Sequence, residues 1–186
     1  QVYRHLSMTT QSYNLIFLAS CEEEVSGKNG IESVLPQLPP IALGVVGEPT
    51  EMQPAIAEKG LMVLDVTARG KSGHAARNEG ENAIYKLLPD IEWFRTYKFP
   101  KESPILGPVK MSVTQINAGT QHNVIPDLCS IVVDIRSNEC YSNEELFAEI
   151  CQHIQSEAKA RSFRLNSSSI PSDHPFVKRA IELGKV

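Results

Sequence analysis

The chain has 186 residues, of which 41% are hydrophobic and 6% aromatic, and its formal net charge is −4. The apolar fraction suffices for a globular core, while the acidic balance without a basic block argues against nucleic acid or a membrane surface as a partner. No apolar run approaches the roughly 20 residues that span a bilayer. The four cysteines lack C-x-x-C spacing, so we interpret them as reduced thiols and expect a cytoplasmic protein.

Two apolar runs near the start of the chain predict parallel β-strands. Residues 14–21 and 41–47 show no alternation of polar and apolar residues, which is typical of strands buried on both faces. Residues 27–35 are long enough for a short helix between them, so we expect a right-handed crossover unit. Three consecutive glutamates at residues 22–24 follow the first run, and Glu48 follows the second. Because parallel strands end at the same edge and adjacent carboxylates repel unless a cation offsets them, the pattern predicts a metal site.

A different pattern begins after residues 51–54, a polar passage with a proline that suits a crossing between domains. Hydrophobic periodicity then predicts the order strand, helix, strand, strand, helix, strand, which is the ferredoxin-like arrangement. The predicted bounds are 61–67, about 81–95, about 109–117, 129–136, 143 to about 160, and 163–166.

This order predicts an α+β insertion within an α/β domain. We expect residues 1–53 to belong to the α/β domain, residues 54–170 to form the insertion, and residues 171–186 to return to the α/β domain.

Five motifs in chain order resemble the M20 family of metal-dependent amidohydrolases and peptidases, in its acetylornithine deacetylase and succinyl-diaminopimelate desuccinylase branch. Residues 20–27 are similar to the acidic motif of that family, with a glutamate in place of its usual aspartate. Residues 46–50, Gly-Glu-Pro-Thr with the preceding valine, match the segment after the next strand. Residues 72–76 resemble the Gly-His motif of the lid domain, and residues 123–126 the Asn-Val-Ile-Pro signature. Residues 134–136 fall where the family places a substrate-binding arginine.

The resemblance implies a role for each matched residue. Glu23 is expected to be the general base, and Glu24 and Glu48 to be metal ligands. His74 is expected to stabilise the oxyanion in the active site of a partner subunit, with Asn123 as a further donor nearby. The implied cofactor is zinc, two ions per active site, and cobalt can substitute for it.

The resemblance also implies the fold class and the activity. We expect part of a zinc-peptidase-like catalytic domain with a parallel-rich sheet and an inserted ferredoxin-like domain that acts as a lid and forms a homodimer. The implied activity is removal of an acetyl or succinyl group from an amino acid such as ornithine or citrulline, as in arginine biosynthesis. Arg136 would bind a carboxylate of this small substrate through two parallel hydrogen bonds.

The sequence departs from the family at several metal ligands. The His-x-Asp motif and bridging aspartate that precede the acidic motif in the family, and its histidine ligand near the C-terminus, have no match here. We therefore expect the chain to represent the middle of a longer enzyme and to be inactive alone. The alternative hypothesis is a non-catalytic dimerisation or small-ligand-binding module of the same ancestry, which would have no need for Glu23.

Overall fold

The computed structural model of the protein describes residues 2–22, 27–51 and 53–184. Its contacts divide the chain into two compact units, Gln1–Glu48 and Pro49–Val186, each described separately below. The predicted domain bounds themselves stay a prediction. Within the described ranges, no helix is both long enough and apolar enough to cross a membrane.

The first unit contains two short helices and no strand among its described residues. Helix α1 spans Val2–Ser7, helix α2 spans Ile31–Val34, and a 3₁₀ turn at Leu35–Gln37 follows α2 directly. Helix α2 confirms the short helix predicted between the two apolar runs. The runs themselves, residues 14–21 and 41–47, are not strands, so the two predicted parallel strands are wrong for this structure.

The missing strands have a simple physical explanation. A strand buried on both faces needs neighbouring strands for its backbone hydrogen bonds and a helical layer on each side. The described part of the first unit supplies neither, and Phe17 and Val45 are accordingly 68% and 70% exposed. Apolar runs report the capacity to form a buried strand, but partners must be present for the strand to form.

The second unit holds the remaining elements. In chain order these are β1 (Ala57–Glu58), β2 (Gly60–Arg69), β3 (Gly73–His74), α3 (Ala83–Thr96), β4 (Lys110–Ala118), β5 (Val124–Ile125), β6 (Leu128–Ser137), α4 (Asn143–His153), β7 (Glu157–Ala160), β8 (Ser168–Ser169) and α5 (Pro175–Gly184).

Four of these strands form one antiparallel sheet in the order β4-β6-β2-β7. Helix α3 connects β2 to β4, and helix α4 connects β6 to β7. This connectivity and strand order are those of the ferredoxin-like fold, so the predicted insertion fold and the mixed α/β class are confirmed. Two short ladders, β1 with β8 and β3 with β5, lie outside the sheet.

Alternation along β2 and β6 gives the sheet two different faces. One face packs under the helices and forms the core, with Met62, Leu64, Val66, Ile131, Val133 and Ile135 from the strands and Leu87, Phe94, Leu146 and Ile150 from α3 and α4. We call the opposite surface the open face. It consists of the partly exposed Leu61, Val63, Asp65, Thr67, Ser130, Val132 and Asp134 and the exposed Arg136.

The end of helix α4 differs from the prediction. The helix begins at Asn143 as predicted, with a complete capping box formed by Ser142 and Glu145, but it ends at His153 rather than near residue 160. Asp90, on α3 and almost fully buried, accepts hydrogen bonds from the backbone N–H groups of Gln155 and Ser156, each at 3.0 Å. These bonds turn the chain out of the helix and into β7, and a sequence pattern within α4 cannot reveal them.

The predicted last strand at residues 163–166 is also wrong, because a buried side chain holds this segment instead. The Asn143 side chain accepts a hydrogen bond from Ser137 Oγ at 2.8 Å, and its amide nitrogen lies 3.1 Å and 2.9 Å from the carbonyl oxygens of Phe163 and Leu165. Leu165 makes only an isolated bridge to Leu61. Side-chain hydrogen bonds thus replace most of the ladder that a strand would make.

Replacing Asp90 with alanine should destabilise the second unit by about 3 kcal/mol, because two backbone donors lose a charged acceptor in a buried setting. Asp90→Asn, which keeps one acceptor oxygen, should lose less. The matched control is Glu92→Ala on the same helix, an exposed residue paired with Arg95, for which we expect a much smaller change because solvent screens exposed ion pairs. Denaturant unfolding of the full-length protein measures all three, and equal losses at both positions would contradict the assignment.

Candidate active-site residues

A closed loop follows β2 and holds the predicted His74. The Gly70 N–H donates to the Asp127 carbonyl at 2.8 Å, and Lys71 and Glu81 exchange two backbone hydrogen bonds of 2.9 Å each. These bonds close the loop of residues 72–80 at its base. The loop is therefore fixed to the end of the sheet by its backbone.

Two glycines allow the loop to close this tightly. A Cβ atom on Gly73 would lie 3.0 Å from the Gly80 nitrogen, and one on Gly80 would lie 3.0 Å from the Lys71 carbonyl oxygen and 3.3 Å from the Gly73 nitrogen. Real side chains at either position would push the two halves of the loop apart. The glycine punctuation seen in the sequence therefore has a packing function beside its match to the Gly-His motif.

The β3–β5 ladder places His74 beside Asn123. Gly73 pairs with Ile125 and His74 with Val124, and the Ala75 N–H donates to the Asn123 carbonyl at 2.9 Å. The Gly-His and Asn-Val-Ile-Pro motifs are far apart in sequence, and the structure brings them together. The backbone segments that carry His74 and Asn123 are therefore neighbours at this end of the sheet, and both residues are exposed.

A backbone contact selects the tautomer of the neutral His74 ring. The Ala76 N–H donates to His74 Nδ1 at 3.1 Å, so Nδ1 must be the unprotonated nitrogen and Nε2 the protonated one in the neutral ring. The backbone nitrogen of His74 lies 3.4 Å from Glu79 Oε1, to which it donates. Because His74 is exposed, its Nε2–H group is available as a hydrogen-bond donor to a bound molecule.

Arg136 lies at the other end of the sheet. In the β2–β6 ladder, Leu128 pairs with Arg69 next to the His74 loop, whereas Arg136 pairs with Leu61. Eight residues of extended strand separate the two ends by about 27 Å. Arg136 Nε and Nη2 bind the Asp134 carboxylate at 2.8 and 3.1 Å, and the guanidinium remains about half exposed. One chain therefore does not bring Arg136 to His74.

The acidic residues are only partly described. Glu23 and Glu24, the expected base and ligand, lie outside the described residues, and Glu48 is exposed at the end of the first unit. Glu22, beside them, accepts hydrogen bonds from the backbone and side-chain nitrogens of Asn29 at 3.1 and 3.2 Å. The described ranges contain no group of three or more histidine, cysteine, aspartate or glutamate side chains that could hold a metal ion. These described ranges do not form a zinc site by themselves.

Sequence reasoning missed two features of these sites. The first is the backbone N–H of Ala76, which donates to the His74 ring and can be recognised only from the geometry of the turn. Lys110 pairs directly with Arg136 in the β4–β6 ladder, so the two cations share the open face. Aligning the two predicted strands would have found this second feature.

Comparison with known families identifies the second unit. Residues 56–162 match the family described as the peptidase dimerisation domain of the M20 peptidases. The chain belongs to the M20 family. The match covers the whole ferredoxin-like unit from before β2 to beyond β7, and so confirms the resemblance that the motifs indicated.

Relatives in sequence include two kinds of M20 deacylase. The succinyl-diaminopimelate desuccinylase of Cereibacter sphaeroides is 29% identical over 76% of this chain and 39% of its own length. The acetylornithine deacetylase of Myxococcus xanthus is 30% identical over 66% of this chain and 34% of its own. The chain spans less than half the length of these curated relatives.

Solved structures support the fold alone, because their identities are low. An M20 family metallo-carboxypeptidase from Sulfolobus solfataricus has a TM-score of 0.61 at 15% identity, covering 83% of this chain and 57% of its own. A tripeptidase from Staphylococcus aureus has a TM-score of 0.54 at 17% identity, covering 72% of this chain and 37% of its own.

The tautomer of His74 can be measured directly. Long-range proton–nitrogen NMR spectra at a pH where the rings are neutral should show His74 protonated at Nε2. His153 is the internal control, because its Nδ1 lies 2.9 Å from the Glu149 carbonyl oxygen, which can only accept, and so must carry the proton. Finding the same tautomer for both rings would contradict the geometry described here.

Proposed function

We propose that this chain is part of a metal-dependent hydrolase of linear amide bonds that deacylates an N-acyl amino acid. The substrate is N-acetylornithine or a related N-acetyl or N-succinyl derivative of ornithine or citrulline, in arginine biosynthesis. The observation that supports the proposal is that the β3–β5 ladder brings the backbone segments of His74 and Asn123 together and leaves the His74 Nε2–H group available to donate. The names of the relatives, a desuccinylase and a deacetylase, support the same reaction class.

The residues then have complementary roles. The His74 Nε2–H group and the Asn123 side-chain amide donate to the negative charge that develops on the amide oxygen as water attacks. Glu23 removes the proton from the attacking water. Glu24 and Glu48 would be carboxylate ligands for zinc, which would supply a positive charge to polarise the amide carbonyl.

The separation of the two ends of the sheet supports a role for a second subunit. An N-acyl amino acid is too short to contact both His74 and Arg136 of one chain, because about 27 Å separates the two ends of the sheet. His74 and Arg136 of one chain would therefore serve different active sites, and the resemblance to the family assigns His74 and Asn123 to the active site of the partner subunit.

The outer edge of β4 is a suitable surface for the second copy. As the first strand in the sheet order, β4 has no neighbour on one side within the described residues. Ile116 on β4 is 56% exposed, and Tyr85 and Leu88 on the adjoining helix α3 are exposed too. Pairing of two β4 edges around a twofold axis would satisfy their backbone groups and bury these apolar side chains.

The activity of the longer enzyme to which this chain is proposed to belong tests the proposal. We expect metal-dependent deacylation of N-acyl ornithine or citrulline, and a loss of about 100-fold in kcat for His74→Ala with a smaller effect on KM, because an oxyanion donor acts in the transition state. The control is His5→Ala, an exposed histidine on α1, for which we expect a wild-type rate. A protein that hydrolyses none of these substrates would favour the non-catalytic module.

The edge pairing has its own test. Ile116→Lys should convert the dimer to a monomer in sedimentation velocity, because it places two charges in the proposed interface. Ile105→Lys is the matched control, since Ile105 is 55% exposed but lies in the turn before β4, and it should remain a dimer. A wild-type protein that sediments only as a monomer would refute the pairing.

A further inference from the structure

An unusual pair of cations lies on the open face beside the end of the sheet. Lys110 is the direct cross-strand partner of Arg136 in the antiparallel β4–β6 ladder, and both side chains are exposed. Directly opposite residues have Cβ atoms about 5 Å apart, and like charges in this relation are destabilising. Asp134 supplies one negative charge against these two positive charges, and a bound anion would offset the second.

A third cation reinforces the positive charge. Lys59, just before β2, donates through Nζ to the Pro108 carbonyl at 2.6 Å, which fixes its position next to β4. Burial and the nearby charge of Lys110 lower the pKa of Lys59, and Glu102 opposes that change. Lys59 and Lys110 are therefore close enough for each charge to affect the other.

The nearest acid leaves donors free for a ligand. Asp134 binds Arg136 through Nε and Nη2, which orients the guanidinium but leaves both N–H groups of Nη1 outside this contact. Lys110 adds an ammonium with three donors on the same face. Together they offer a carboxylate-binding surface larger than one arginine provides.

We propose that Lys110 and Arg136 together recognise a substrate with a second carboxylate on its acyl group, so that the enzyme prefers N-succinyl to N-acetyl amino acids. This inference rests on the proposed function, which places Arg136 at the substrate. One cation meets the α-carboxylate of the amino acid and the other the carboxylate of the succinyl group. An acetyl group has no charge to offer Lys110.

Kinetics on two matched substrates test the preference in the full-length, metal-loaded enzyme. For Lys110→Met we expect kcat/KM to fall about tenfold on N-succinylornithine, mainly through KM, and less than about twofold on N-acetylornithine. Lys98→Met, an exposed lysine after α3, is the control and should leave both values unchanged. Equal losses on the two substrates, or no loss on either, would overturn the proposal.

A binding measurement separates this inference from the proposed reaction. Calorimetric titration of the same protein with succinate and with propionate needs no turnover. We expect succinate to bind about tenfold more tightly than propionate in the wild type, and Lys110→Met to remove the difference. If the enzyme hydrolyses neither substrate but the difference is present, the dicarboxylate site stands and the proposed reaction fails. If succinate and propionate bind equally to the wild type, the dicarboxylate site is refuted whether or not the protein is a deacylase.

Discussion

The antiparallel register between β2 and β6 is the constraint on which the second unit depends. The two strands pair along their whole length, from Gly60 with Ser137 to Arg69 with Leu128. A shift of one residue would turn the core side chains of one strand to the open face and its polar side chains into the core. Because helices α3 and α4 cover only one face, such a shift would cost most of the buried apolar contacts. The register is therefore set by the core.

The same register determines where the candidate functional residues lie on the sheet. The His74 loop closes at one end of β2, and Lys110 pairs with Arg136 at the other end. The sheet therefore holds two sets of polar groups apart. Neither set is part of the core, so each is free to contact a ligand. Under the proposed function, this separation would let one small domain contribute residues to two different active sites of a dimer.

Periodicity and motif order predicted the ferredoxin-like unit because its elements depend mainly on local alternation and on one shared core. The resemblance to the family implied that Asn123 lies near His74, and the β3–β5 ladder brings their backbone segments together, while their roles stay a prediction. The prediction of parallel strands at residues 14–21 and 41–47 was wrong because an apolar run becomes a buried strand only where neighbouring strands and helices are present. The predicted end of α4 was wrong because Asp90, which is remote in sequence, accepts hydrogen bonds from the backbone of Gln155 and Ser156. Tertiary contacts of this kind override local propensity.

The most direct test of the account mixes two inactive variants, Glu23→Gln and His74→Ala, after dissociation and reassociation. If His74 acts in the partner's active site, each mixed dimer has one site with both Glu23 and His74 intact. Mixed dimers form half of the population, so about a quarter of the wild-type activity should return. If mass spectrometry confirms mixed dimers and no activity returns, His74 and Glu23 act within one chain, and the shared active site is wrong.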